Sequence, residues 1–345
     1  MKTTIMPKAI TTALALVLLA GTAQAQDGFK ACQVTDTGGV DDKSFNQAAW
    51  EGAQRAAADL GGEAKVLESS AETDYEPNIN SFVAEGCDVI VTVGFLLGDA
   101  TKAAAEANPD TDFSIVDFAY DPVIPNVLGQ VFATAEAAFL GGYVAASVST
   151  TGIVGTFGGI NIGGPVTDFM DGFVWGVEYY NEQKGADVQV LGWDPATKEG
   201  LFTGNFDSLS DGRDFAKNLN DEGADVVLPV AGPVGGGSAA LAAELGTDTL
   251  KIIGVDADWY LTDPDHSGVY LTSILKKVDA TVEEAIKRSH AGTLEGGVIV
   301  GTLENGGVGL APFHDFDGLV SDETKAELEA IRAGIIDGSI KVGGM

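Results

Sequence analysis

The chain has 345 residues, 45% of them apolar, and carries 51 acidic side chains against 19 Lys and Arg, a formal charge of −32 at pH 7. That balance argues against nucleic-acid binding, because a phosphate backbone would be repelled. The length admits two domains of ordinary size.

Lys2 and Lys8 precede an apolar run from Ala13 to Ala20, and Ala23-Gln24-Ala25 offers small residues for cleavage. This pattern predicts a Sec signal peptide over residues 1–25, cut after Ala25. The run is short for a membrane span, so an uncleaved anchor is the lesser alternative. Thr22 stands after Leu19-Ala20-Gly21, where a lipoprotein would need Cys, so the expectation is a free periplasmic protein. Without Lys2 and Lys8 the 51 acids face 17 Lys and Arg, which reads as a solubility adaptation.

From Phe29 to Phe132 strand and helix patterns alternate. FKACQVT, AKVLES, CDVIVTVG, FSIVDF and NVLGQVF read as strands, with a helix before Gly61-Gly62. Alternation of this kind predicts parallel strands with helical crossovers. Cys32 lies on the first strand and Cys87 opens the third. In strand order 2-1-3 these are neighbours, so an exported chain could join them as a structural disulfide.

The segment AEAAFLGGYVAASVS reads as a buried helix leading out of the first lobe. A second series follows, with strands at TGIVGTFGG, VQVLGW, ADVVLPVAG and KIIGVD. The chain is expected to cross again near LTSILKKVD, and VIVGTLENGGVGLAPF to return as a hairpin-like strand pair. SDETKAELEAIRAGIIDG is a helix capped by Ser321 and closed by Gly338. The predicted fold is α/β: two doubly wound parallel-sheet lobes joined by about three crossovers. Residues 26–149 plus about 278–297 are assigned to lobe 1, and 150–277 plus about 298–345 to lobe 2.

The stretch Val34–Trp50, VTDTGGVDDKSFNQAAW, carries most of the functional signal. A strand runs into Gly38-Gly39, then acids, then a helix that Ser44 can cap. In open parallel sheets ligands bind beyond the carboxyl ends of strands, which makes this loop a wall of the crevice. One alternative is a calcium-dependent secreted nucleoside hydrolase, whose Asp-x-Asp-x-Gly-x-Asp-Asp motif Gly39, Asp41 and Asp42 match in part. Thr35 and Thr37 then occupy the first two ligand positions, and Asp36 points the other way.

Asp36, Gly38, Gly39, Asp42, Ser44, Phe45, Asn46, Gln47 and Trp50 together resemble the signature of the basic membrane protein family, the purine nucleoside receptor A-like substrate-binding proteins of ABC importers. VTVGFLLGDA at 91–100, the block 223–237, IIGVDADW at 252–259 and LTSILKKVD at 271–279 extend the likeness over nearly the whole chain after the leader. The resemblance implies a type I periplasmic binding protein that holds a nucleoside between two lobes and serves a membrane permease and ATPase. It also implies that Asn46 and Asp117 read a purine edge and that Asp256 accepts both ribose hydroxyls. Lys276, in Ser273-x-x-Lys, looks like the cationic partner of Asp256. Trp259 stands where many relatives would have Gln.

Residues at strand ends complete the expected site. Trp50 is the expected stacking surface and Phe173 the ring closing from the second lobe. Phe95 is a weaker stacking candidate, and Phe45 equally suits packing on the sheet. Gly232 opens a turn that lets backbone approach a sugar, without the ending of a phosphate loop. Trp175 reads as core, Trp193 as rim, and Lys277 as solvent-facing.

Arg55, Arg213, Arg288 and Arg332 all sit on polar helical stretches, so no fork for a carboxylated ligand is expected. His266, His290 and His314 show no spacing of a triad or metal site, and no catalytic residue, metal or cofactor is assigned. The expected partners are a nucleoside and the permease and ATPase, with the protein itself a monomer. A receptor for another small neutral metabolite stays open.

Overall fold

A computed structural model describes residues 1–4 and 28–343, so the leader read at residues 1–25 lies almost wholly outside the described residues. Among the described residues no helix is long and apolar enough to cross a membrane.

The chain runs β1 (Lys30–Val34), α1 (Phe45–Asp59), β2 (Glu63–Leu67), α2 (Tyr75–Glu85), β3 (Val89–Val93), α3 (Gly98–Ala107), β4 (Asp112–Val116), β5 (Val127–Phe132) and α4 (Thr134–Val148). It continues through β6 (Ile153–Gly158), α5 (Gly164–Lys184), β7 (Gln189–Leu191), the small hairpin β8 (Trp193–Asp194) and β9 (Glu199–Gly200), α6 (Leu209–Asp221), β10 (Val226–Val230), α7 (Gly235–Leu245) and β11 (Lys251–Asp256). The last elements are α8 (Trp259–Thr262), β12 (Tyr270–Lys276), α9 (Val278–His290), β13 (Gly297–Gly301), β14 (Val308–Leu310) and α10 (Asp322–Ile336).

Two six-stranded sheets result, ordered β13-β5-β4-β3-β1-β2 and β14-β12-β11-β10-β6-β7. Their central strands are buried along their length, as the unbroken apolar runs of β3 and β10 require when helices cover both faces. In the first sheet α1 and α9 pack together over one face and α2 with α3 over the other. Gly52 sets the α1–α9 distance, since a Cβ there would lie 2.2 Å from the Asp279 carbonyl oxygen. Cys32 and Cys87 are joined by a disulfide with Cα atoms 6.1 Å apart.

Two expectations are corrected. Helix α4, read as the end of the first lobe, packs on α5, β12 and β14 and belongs to the second. Gly142 explains the choice, because its Cα lies against the Phe173 carbonyl of α5 so closely that a Cβ would come within 2.0 Å. The border therefore falls at Ala133 rather than 149.

The expected hairpin at 298–313 does not form. β13 runs parallel to β5 in the first sheet, and β14 runs antiparallel to β12 in the second. Asn305, Gly306 and Gly307 make a turn, but the turn carries the chain between lobes, and lobe 1 extends to Gly301. The crossovers lie side by side: Ala133 N–H donates to Gly301 O at 2.8 Å, and Lys277 N–H to Gly307 O at 2.9 Å.

Candidate functional site

The carboxyl ends of both sheets face one cavity, which opens to solvent. Its polar lining comes from Asp36, Asp42, Asn46 and Asp117 of the first lobe and Asp256 and Lys276 of the second. Phe45, Phe95, Phe169 and Phe206 supply its rings, and Gly232 lines it at the end of β10 with φ +54°.

The loop after β1 organises itself around Asp42. This carboxylate accepts the N–H groups of Ser44 (2.9 Å), Asn46 (2.8 Å) and Gln47 (3.0 Å), capping α1 where Ser44 was expected to do so. Burial pushes its carboxyl up to about 7, against the pull of those donors. The Asn46 amide nitrogen is shared between Asp36 Oδ1 (2.7 Å) and Asp42 Oδ2 (3.1 Å). Two carboxylates on the nitrogen fix the orientation of the amide, leaving its buried Oδ1 without a protein partner. Burial also raises the carboxyl of Asp36, opposed by Asn46 and the Gly38 N–H.

Lys276 stands at the end of β12 with 2% of its surface exposed. Its ammonium lies 2.6 Å from Asp117 Oδ2 and 3.5 Å from Asp256 Oδ1. The first partner is thus Asp117, across the lobes, whereas Asp256 was expected. Phe45, Phe132 and Phe169 present their rings to the same ammonium at 4.9, 5.3 and 5.6 Å. Burial alone would depress the lysine, but the carboxylates of Asp117 and Asp256 outweigh it and hold the group above its usual value. Burial raises Asp117 to about 6, with Lys276 pulling the other way. Asp256 Oδ1 is buried and makes no hydrogen bond.

Several expected residues lie elsewhere. Ser44 is fully buried outside the cavity and donates to the Val255 carbonyl at 2.8 Å. Trp50 is half-buried against the hydrophobic core and does not line the cavity. Phe173 is fully buried against α4; Phe169, one turn earlier on α5, lines the cavity in its place. Phe95 is at the cavity, its ring tilted at 52° against Phe118 with centroids 5.1 Å apart.

Phe206 was missed in the sequence because it follows the short β9 in an irregular loop. It is seated by Gly159, where a Cβ would fall 2.3 Å from its ring. The glycine run after β10 serves packing rather than a phosphate: a Cβ on Gly237 would meet the Leu209 carbonyl at 1.8 Å.

Cations and histidines outside Lys276 are engaged elsewhere. Arg55 pairs with Asp279 and Glu283, Arg213 with Glu244, Arg288 with Glu284, and Arg332 bonds the Leu303 carbonyl. His266 pairs with Asp263, His314 with Asp258, and His290 meets the ring of Phe29. None of the three lines the cavity.

Comparison with known proteins places this architecture. The family described as ABC transporter substrate-binding protein, PnrA-like, matches residues 29–344. The chain belongs to this PnrA-like family.

Among its relatives, the ABC transporter nucleoside-binding protein BmpA of Lactococcus lactis is 34% identical over 91% of this chain and 88% of its own. The basic membrane protein A of Borreliella burgdorferi is 32% identical over 88% of this chain and 85% of its own. A solved solute-binding protein of an ABC transporter system from Aeropyrum pernix superposes with a TM-score of 0.81 at 28% identity, covering 91% of this chain and 92% of that one. PnrA-like proteins are substrate-binding components and not enzymes, which sets the hydrolase reading aside.

Proposed function

We propose that this PnrA-like protein holds a nucleoside, by preference a purine nucleoside, between its lobes and presents it to the permease and ATPase of an ABC importer. The observation that carries the reading is the buried Asn46 Oδ1, which has no partner, and Asp256 Oδ1, which makes no hydrogen bond and has only the Lys276 ammonium at 3.5 Å, on residues that line a cavity walled by aromatic rings from both lobes. A buried acceptor with no partner, such as Asn46 Oδ1, costs about 1–3 kcal/mol until a donor reaches it. A sugar hydroxyl and a base N–H are donors of the right kind, and Phe45 and Phe169 offer faces for the base.

The remaining chemistry supports an uncharged ligand. Lys276 is already neutralised by Asp117 and Asp256, and all four arginines are bonded away from the cavity. The name of the Lactococcus lactis relative points the same way. The proposal extends to export by the leader, cleavage after Ala25, and action as a periplasmic monomer. Because a carboxylate-rich wall would also receive other donor-rich neutral rings, another small neutral metabolite is the second reading.

Titration calorimetry with inosine, guanosine, adenosine and uridine, followed by chromatography of each mixture, tests the proposal. Saturable binding with the nucleoside recovered intact supports it. Silence towards all four nucleosides, or recovery of free base and sugar, contradicts it.

A further inference from the structure

We propose that Lys43-Ser44 of the first lobe and the Val255 carbonyl, Trp259 and Thr262 of the second form a latch, a set of lobe-to-lobe bonds at the edge of the ligand cavity that governs how readily the cleft shuts. Ser44 Oγ donates to Val255 O at 2.8 Å, lies 3.1 Å from Asp256 Oδ2, and accepts from Trp259 Nε1 at 3.4 Å. One residue earlier, the Lys43 carbonyl accepts from Thr262 Oγ1 at 2.6 Å. None of Lys43, Ser44, Trp259 and Thr262 lines the ligand cavity. Lys43 and Trp259 instead line a separate groove along the seam, together with Asp41, Asp263 and His266.

Both halves of the latch are held rigid before they meet. On the first lobe, Lys43 sits at φ +61°, in the left-handed region that a residue with a side chain rarely takes. Asp42 pins that backbone through the N–H groups of Ser44, Asn46 and Gln47. On the second lobe, Trp259 is wedged over two glycines: a Cβ on Gly254 or Gly235 would lie 2.6 or 2.5 Å from its ring. Its backbone N–H donates to Ser273 Oγ at 3.1 Å. Trp259, the residue at which the sequence departs from the pattern it resembles, thus reaches the other lobe through its indole N–H.

Bonds that exist only when the lobes meet raise the fraction of molecules competent to hold ligand. Apparent affinity scales with that fraction, so the latch tunes affinity without touching the bound molecule. This inference rests on closure of the lobes around the cavity and not on the identity of the ligand.

The test places spin labels on exposed residues of each lobe, through Lys102→Cys and Lys217→Cys, the native cysteines being tied in their disulfide. Interlobe distances are measured without ligand in the parent, in Ser44→Ala and in Thr262→Val. Ser44→Ala leaves the Trp259 indole N–H unpaired and removes the bonds to the Val255 carbonyl, which keeps the Ala257 N–H, and to Asp256 Oδ2, while Thr262→Val is close in shape and removes one bond away from the cavity. Both variants are expected to shift the distribution towards longer distances at an unchanged unfolding temperature. With inosine as probe, the double variant is expected to bind about tenfold more weakly, the equivalent of about 1.4 kcal/mol, through faster dissociation.

Distance distributions identical to the parent in both variants would overturn the latch. If the parent itself ignores inosine, the nucleoside reading falls, yet the label distances still decide the latch.

Discussion

Asp117 and Asp256 occupy equivalent places in the two lobes and share one lysine. β4 and β11 are each the third strand in from one edge of their sheets, after β13-β5 and β14-β12, and Asp117 directly follows β4 while Asp256 is the last residue of β11. Both take the left-handed region, at φ +63° and +65°. Their carboxylates stand 2.6 and 3.5 Å from the ammonium of Lys276. Strain of this kind, of order 1–3 kcal/mol each, persists where the surrounding structure holds the side chain at a functional site.

Asp256→Ala should leave the fold intact, because Lys276 keeps Asp117. Riboside affinity should fall at least tenfold to a hundredfold, since a hydrogen bond to a charged group contributes about 1.5–3 kcal/mol. Calorimetry checks the affinity and thermal unfolding the fold. Unchanged affinity would remove Asp256 from the site.

Lys276→Met leaves two buried carboxylates without a cation. A loss of about 3–5 kcal/mol at pH 7.5 is expected, shrinking towards pH 5 as the carboxyls take up protons. In the parent, Asp117 titrates near 6 when folded against an ordinary 3.8, so the folded state binds the proton more tightly. Its contribution is therefore full below about 3.8 and lost as pH rises through about 6. Asp117→Asn should flatten the decline of unfolding temperature over that window, measured without ligand.

Phe169→Ala should weaken nucleoside binding by about 1–3 kcal/mol, the contribution of one stacked base. Trp50→Ala should not, because Trp50 does not line the cavity. Equal losses from the two substitutions would contradict the assignment of rings.

Nucleoside 5′-monophosphates should bind at least a hundredfold more weakly than the parent nucleosides. Asp36, Asp42, Asp117 and Asp256 surround a single, already paired lysine, and no arginine lines the cavity. Competition of inosine by its monophosphate measures the difference.

Reduction of the Cys32–Cys87 disulfide releases a loop of 55 residues. The chain-entropy account assigns such a loop about 4 kcal/mol. Denaturant unfolding with and without reductant should show a loss of that order, with ligand affinity retained when the protein is folded.

The layout of the lobes was legible because buried parallel strands are unbroken apolar runs, and because glycines and acids gather where those runs end. Asp36, Asp117, Asp256 and Gly232 all stand where that rule looks, and the family resemblance supplied the roles of Asp117 and Asp256. Rings on helices were harder. Helix α5 is buried on nearly every face from Val166 to Val177, so periodicity does not choose between Phe169 and Phe173.

Gly172 and Gly176, whose missing Cβ atoms admit the backbone of α4, mark the helix–helix contact, but Phe169 and Phe173 stand one turn apart on that same side, so the glycines do not choose between them. Helix α4 posed the same difficulty, being apolar all round, and Gly141-Gly142 held the answer. The turn at Asn305–Gly307 has hairpin composition, but sequence does not say that its two strands extend different sheets. Ser44 looked like a helix cap, and only the second lobe brought against it reveals its other use.

The most direct measurement is a crystal structure of the protein grown with inosine. The expected density is an intact nucleoside between the lobes, its base against Phe45 and Phe169 and its sugar hydroxyls on Asp256. Inosine bound outside the cleft, or a cleft holding only one of its two halves, would contradict the account.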